Sequence, residues 1–524
     1  MMNDSTKNKG VLVLYTGGTI GSMPADPNDP ESPQRVVDWD KFLEMTPQID
    51  PAQMTKRRDH VGFKVDAWSL DEALDSCNIT PNDWRAMAEV IYKEHDNYEG
   101  FVIAHGTDTM VYTASALSFM LTNLKKPVVL TGSQLSHTYL PRNDGLQNLL
   151  TAINFANPKK NNIPVVPEVC IFFGSELLRG NRCRKKDAEG FDAYFSPNYP
   201  PLGRAGAKLE VFEKNCLPMP TQSLQLRKKL NNNVITFDVF PGIQDSGFVD
   251  RVLDSHQVDG VVVRAFGSGN IPTDPTFLSH FQKVASSEDD TKRVIVQNVT
   301  QCVQGKVSLG VYETSAALLE VGMVTGFDIS PEAAVCKQMV LLGDEDLDKN
   351  EVAMMAQQSL AGEMSQSLYV QKLKSTGTDS VNSKDKTRRR ISPAEAIDGA
   401  WQAEQIDTVA IRLYGARVEV EANVKTDAEK EKNGAQNEPT ITIDAYVNLG
   451  SDDELSHSTP NYAGSFKRRN SEKDFIVSFD LTRAAKALIK SGERISVTLA
   501  VANGTGKLSW QKTELAVFIN EVGA

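Results

Sequence analysis

The chain has 524 residues, 40% of them hydrophobic and 24% charged, with a formal net charge of −12 at pH 7. That length suffices for about three domains of roughly 100–200 residues each, and the composition is that of a chain able to build real cores. The acidic balance argues against a nucleic-acid partner, which needs a basic face, and no apolar run approaches the roughly 20 residues of a membrane span.

The first predicted element is Val11-Leu12-Val13-Leu14, a continuous apolar run that reads as a buried strand and is too short for the core of a signal peptide. Strands of the same kind follow at 101–104, 128–130 and 169–173. A helix between the second and third carries Met110, Ala114, Leu117 and Leu121 on the 3.6-residue period. This alternation predicts an α/β fold with a parallel sheet covered by helices on both faces. Glycine and proline clusters at 201–206 and 218–220 mark a join. A second α/β unit begins near residue 233, with strands at 234–237, 260–263 and 294–296 and helices over 244–256, 275–287 and 311–323. Residues 370–395 are polar and read as a linker. Beyond them the period changes to two: Ile441, Ile443, Ala445, Val447 and Leu449, then Ile495, Val497, Leu499 and Val501, then Leu515, Val517 and Ile519. That pattern predicts an all-β sandwich or small barrel of about 130 residues, interrupted by one helix near 481–490.

The six cysteines are scattered with no CxxC pair, so reduced thiols are expected. The histidines have no metal-ligand spacing and HExxH is absent, so no metal site is expected. Two polar clusters stand directly after predicted strands, where open α/β sheets bind ligands. Thr16-Gly17-Gly18-Thr19-Ile20-Gly21 combines glycines, which let backbone N–H groups approach a ligand, with threonine hydroxyls. His105-Gly106-Thr107-Asp108-Thr109 opens the helix that follows. Taken singly, the first is equally a structural or phosphate-binding turn, and the second equally an N-cap.

Together, TGGTIG and HGTDTM some 90 residues apart resemble the paired signature of the bacterial-type L-asparaginase family, cytoplasmic type I branch. The resemblance extends to Asp75-Ser76-Cys77-Asn78, Tyr112–Leu121, Thr131–Gln134, Asn143-Asp144-Gly145, Leu178–Arg182, Arg264–Asn270 and Asn298–Cys302, covering about residues 10–368. It implies a two-domain fold with parallel sheets (10–215 and 230–368) followed by the β-rich domain, 396–524. It also implies hydrolysis of L-asparagine to L-aspartate and ammonia without a cofactor, in the cytoplasm, at a site shared between subunits of a homodimer or homotetramer. Carried over residue by residue, Thr19 matches the nucleophile and Thr107, Asp108 and Lys185 the second triad. Gly18, Ser76, Thr107, Asp108 and Asn270 match substrate-binding positions, and Arg264 and Cys302 match two positions of an effector site. Lys185 is singled out from Lys186 by its spacing from Arg179-Gly180-Asn181.

The chain departs from the family pattern at two points. The loop from Ser22 to Phe42 has no tyrosine, where the family usually places one, and Arg184 stands where a threonine is expected. The missing tyrosine supports one alternative, an asparagine sensor that binds without turnover. Another is the asparaginase-like subunit of a tRNA-dependent amidotransferase, against which only about 15 residues precede the first motif. Residues 462–466 and 514–520 resemble loosely the C-terminal β-domain of plant polyphenol oxidases. The polar linker predicts that this domain is separable, so that a chain cut near 375 still folds and acts.

Overall fold

The computed structural model describes residues 9–26, 28–29, 32–53, 61–136, 142–255, 257–287, 289–307, 309, 313–373, 379–383, 388–391, 404–420, 440–449, 453–469, 471, 474–491 and 493–521. The first unit is an eight-stranded sheet. Its order is Leu209–Val211, Gly203–Ala205, Glu176–Arg179, Val169–Phe173, Val128–Thr131, Gly100–Ala104, Val11–Gly17 and Val65–Leu74. The last five of these run parallel. Alternate side chains of the Val11–Gly17 strand enter two cores. Leu12 and Leu14 meet helices Pro81–Glu94 and Met110–Met120 on one face, and Val11, Val13 and Tyr15 share the other with helix Gly145–Phe155. Burial on both faces is why such strands are continuously apolar in sequence.

The second unit is a four-stranded parallel sheet, Val234–Asp238, Gly260–Ala265, Ile295–Thr300 and Val324–Thr325. The C-terminal part is all antiparallel. A six-stranded sheet containing Ile406–Val420 and Lys512–Asn520 faces a four-stranded sheet containing Ile441–Val447 and Val497–Asn503. Val409, Ile411, Val517 and Ile519 of one meet Ile441, Ile443, Val497 and Leu499 of the other in a shared core, a sandwich closed by helix Thr482–Lys490.

The predicted linker is not one. Gln366–Leu373, Ser380–Asn382 and Arg389–Ile391 are strands of the sandwich. Gln366–Leu373 pairs along its whole length with Lys512–Asn520, from Gln366 opposite Asn520 to Leu373 opposite Thr513. Tyr369 and Leu373 point into the sandwich core, whereas Leu368 and Val370 join the core built on the first sheet. Polar residues between them hide the period. The sandwich therefore takes its first strand from within residues 366–373, and many contacts cross into the α/β units. Phe518 meets Phe327 edge-on at 6.4 Å, and Leu368 and Ala516 share the core that holds Phe327 and Ala333. The premise of the separable domain, that few contacts cross the join, does not hold.

All six cysteines are free thiols. Among the described residues, no helix is long and apolar enough to cross a membrane, and no group of three or more His, Cys, Asp or Glu side chains could hold a metal ion.

Candidate active site

Parallel pairing brings the ends of the Val11–Gly17 and Gly100–Ala104 strands side by side, so the two motifs that follow them meet. The Thr16 hydroxyl donates to the Ala104 carbonyl at 3.0 Å. Gly18 has φ of +79°, and a Cβ there would lie 2.3 Å from Gly106 Cα. Only glycine permits this approach. Thr19, half-buried, opens a single 3-10 turn, Thr19–Gly21. The neighbouring strand, Val65–Leu74, leads to Ser76, which is buried and whose carbonyl accepts from the Thr109 hydroxyl at 2.7 Å. Gly18, Thr19, Ser76 and the 105–109 segment are thus one constellation at the carboxyl end of the sheet.

Lys185 arrives from elsewhere in the chain. It lies in a two-residue strand, Arg184–Lys185, paired with Tyr194–Phe195. Its Nζ donates to Thr107 Oγ1 at 2.9 Å and to Asp108 Oδ1 at 2.7 Å. Tyr194 opposite it donates its hydroxyl to the Thr107 carbonyl. The Thr107 hydroxyl in turn points toward Gln134 Oε1 at 3.4 Å, and Asp144 accepts from the Gln134 N–H at 2.9 Å. Thr107 is buried, whereas the Asp108 side chain is 64% exposed, so the pair offers an anchored hydroxyl–amine contact with an open carboxylate beside it. His105 is fully buried between the Gly106 carbonyl (2.7 Å) and Thr113 Oγ1 (2.9 Å). Burial pushes its pKa down to about 4, so it is neutral and shapes the motif rather than moving protons. Sequence reasoning misses Tyr194, because its place depends on a strand pairing that no motif announces.

Comparison with known proteins settles the family. The "Asparaginase, N-terminal" profile matches residues 10–216 and "Glutaminase/Asparaginase C-terminal domain" matches 233–355. L-asparaginase 1 of Escherichia coli is 37% identical over 358 residues, which are 68% of this chain and 98% of that protein. The chain belongs to the asparaginase family. It is an enzyme of the amidohydrolase kind, with the type I asparaginases among its relatives. The crystal structure of L-asparaginase I from Vibrio cholerae, 37% identical, superposes with a TM-score of 0.58 over 68% of this chain and 99% of that one. A component of the glutamyl-tRNA(Gln) amidotransferase of Saccharolobus solfataricus is 31% identical over 68% of this chain and 76% of its own length.

The likeness of the C-terminal region to polyphenol oxidases is not borne out. It rests on short alternating stretches, and any antiparallel sheet with one buried face has these. The remaining positions singled out by the asparaginase pattern lie in the second unit, Arg264 on its sheet and Asn270 and Cys302 in the loops after two of its strands. Asn270 sits in a turn closed by two hydrogen bonds with the Phe266 backbone, both 2.9 Å. Arg264 pairs with Asp238 at 2.9 Å. Cys302 is exposed and lines a small cleft with Arg184, Thr300 and Asp328. Arg184, in place of the expected threonine, pairs with Glu332 at 3.3 Å. Arg184, Arg264 and Glu332 all act electrostatically on Tyr112, whose hydroxyl pKa is raised, chiefly by burial.

Proposed function

We propose that this chain hydrolyses the side-chain amide of L-asparagine to L-aspartate and ammonia, with Thr19 as nucleophile. The observation that carries the reading is Lys185 held on Thr107 and Asp108, in the motif that Gly18 touches. Attack of the Thr19 hydroxyl on the amide carbon forms an acyl-enzyme ester. The proton lost by the hydroxyl ends on the departing nitrogen, which leaves as ammonia. Water then cleaves the ester, restoring the Thr19 hydroxyl and releasing L-aspartate. A threonine hydroxyl needs a neighbouring base; Lys185 serves, with Thr107 between. The Gly18 N–H is taken by the Leu74 carbonyl at 2.9 Å, and the Thr19 backbone N–H stabilises the oxyanion, a donor contributing about 3–4 kcal/mol. Asp108 and Ser76 hold the amino-acid head, and the open Asp108 carboxylate pairs with the substrate ammonium.

Asn270, in a different unit from Thr19, serves the site of a neighbouring subunit in a homodimer or homotetramer. Arg264 and Cys302, gathered near Arg184 and Tyr112, form an effector site. The reaction needs no cofactor and takes place in the cytoplasm.

A second reading, a sensor that binds asparagine without turnover, is favoured by one feature. The Ser22–Phe42 loop has no tyrosine, and the tyrosine nearest in sequence, Tyr15, is buried with its hydroxyl donated to the Val37 carbonyl at 2.7 Å. Ammonia release from L-asparagine by the purified chain separates the two. Steady release supports hydrolysis; saturable binding with no ammonia supports the sensor.

A further inference from the structure

We infer that Arg182 is a positioning residue for Lys185, and that the C-terminal sandwich holds Arg182 in that role through the strap 360–365. The inference rests on Lys185 acting in the reaction as proposed above. Lys185 stands on a strand of only two residues, too short to fix a long side chain within hydrogen-bond reach of two partners. The turn just before it, Gly180–Arg182, is held far more firmly.

Arg182 is 3% exposed, and its guanidinium has three partners. Nη1 donates to Asp328 Oδ2 at 2.7 Å, Nε to the Gly362 carbonyl at 2.8 Å, and Nη2 to Ser365 Oγ at 3.0 Å. Asp328 also accepts from the Ser365 N–H at 2.8 Å and the Ser365 hydroxyl at 2.6 Å. Two nearby side chains of the same segment end on this strap. Asn181 Nδ2 donates to the Ala361 carbonyl at 2.8 Å, and Arg179 Nη1 to the Gly362 carbonyl at 3.1 Å. Gly362 has φ of +76°, and a Cβ there would lie 2.5 Å from Arg179 Nη1, so the strap passes this close to Arg179 only because it is bare. A buried arginine is tolerated when its donors are satisfied in this way, and removing a partner leaves a charge uncompensated.

The far side of the strap belongs to the sandwich. The Glu521 N–H donates to the Ser365 carbonyl at 3.0 Å. Ser367, fully buried, accepts from the Ser359 N–H at 2.7 Å and donates to the Glu521 carboxylate, closing the strap's two ends on the residue that follows the Lys512–Asn520 strand. Sandwich, strap and Arg182 therefore form one continuous set of contacts, and Lys185 follows Arg182 along the chain through Cys183 and Arg184. Because a displacement of about 1 Å at a reacting group costs on the order of a hundredfold in rate, loosening the strap is read at Lys185.

The test uses the full chain with Arg182→Lys, which keeps the charge but cannot reach three acceptors, Ser367→Ala at the sandwich end, and Lys185→Met as reference. Two quantities are measured: kcat and KM for asparagine, and the pH at which Lys185 becomes half-reactive toward an acetylating reagent, followed by mass spectrometry. Lys186, paired with Asp192 at 2.6 Å, is the internal control. Arg182→Lys is expected to lower kcat about tenfold or more with a much smaller change in KM, and to move the Lys185 midpoint by about half a unit or more while Lys186 stays. Ser367→Ala is expected to move both in the same direction by less. A soluble Arg182→Lys chain with unchanged kcat and midpoint overturns the inference. An unchanged Ser367→Ala chain overturns its extension to the sandwich. If Arg182→Lys does not fold, Ser365→Ala, which removes one acceptor, is judged by the same two readouts. Full activity in Lys185→Met would instead defeat the catalytic reading itself.

Discussion

Thr107, Asp108 and Lys185 share hydrogen bonds but differ in exposure, and the differences give each a distinct expected loss. Lys185 touches both partners, so Lys185→Met should abolish turnover while leaving the circular-dichroism spectrum and melting temperature near wild type. Members of one catalytic unit typically cost many orders of magnitude when removed. Asp108 is open to solvent, which suits a carboxylate awaiting an ammonium. Asp108→Asn should lose about 2–5 kcal/mol of substrate recognition, seen in steady-state kinetics as a raised KM; unchanged KM and kcat would remove it from the site. His105 gives a stability prediction instead. Its pKa is pushed down to about 4 from the ordinary 6.5 by burial, so the unfolded chain binds this proton more readily. The stability it contributes is complete above pH 6.5 and is lost as pH falls toward 4, about 3 kcal/mol in all. Urea unfolding at neutral pH and near pH 4.5 should show a smaller acid loss in His105→Gln than in the parent chain. The motif residues are legible in sequence because each lies in a contiguous run. Gln134 and Arg182 also lie in matching runs, 131–134 and 178–182, but their partners are distant in sequence, so neither their contacts nor the place of Tyr194 shows in the letters.

Strands are legible where burial is symmetrical. Val11–Leu14 and Gly260–Val263 lie inside parallel sheets with both faces covered, and that physics writes an unbroken apolar run. Ile441–Val447 faces a core on one side and reads as clean alternation. Gln366–Leu373 obeys neither rule: Leu368 and Val370 meet the α/β units while Tyr369 and Leu373 meet the sandwich, with Ser367, Gln371 and Lys372 among them. Its letters therefore read as linker. The consequence is a changed expectation for truncation. A chain ending at residue 375 keeps this strand but loses Lys512–Asn520, its pairing partner, and bares Leu368, Phe327 and the strap's anchors. Such a chain should be aggregation-prone and poorly active compared with the intact protein, by light scattering and by ammonia release. A soluble, fully active truncated chain would show that the sandwich contacts are dispensable.

At the scale of the whole molecule, the constellation built on the first sheet lacks one proposed member, because Asn270 lies in a loop of the second unit. A site completed by a neighbouring subunit accounts for this. Light scattering should find a dimer or tetramer. Mixing Lys185→Met and Asn270→Ala chains, each inactive alone, should restore measurable hydrolysis as hybrid interfaces assemble one intact site; no recovery after verified exchange of subunits would confine the site to a single chain. The family and the α/β architecture are legible because two motifs at strand ends fix both, whereas the docking of the sandwich depends on one strand and a strap whose polar letters conceal their burial.

The central claim, amide hydrolysis by a threonine nucleophile, meets its most direct test in the ammonia-release rate of Thr19→Ala on L-asparagine beside the parent chain. Steady turnover by the parent is expected, with a loss of at least about a thousandfold, roughly 4 kcal/mol of barrier, in a variant that folds and assembles normally. A Thr19→Ala chain retaining more than about a tenth of the parent rate, a difference under about 1.4 kcal/mol, would contradict it.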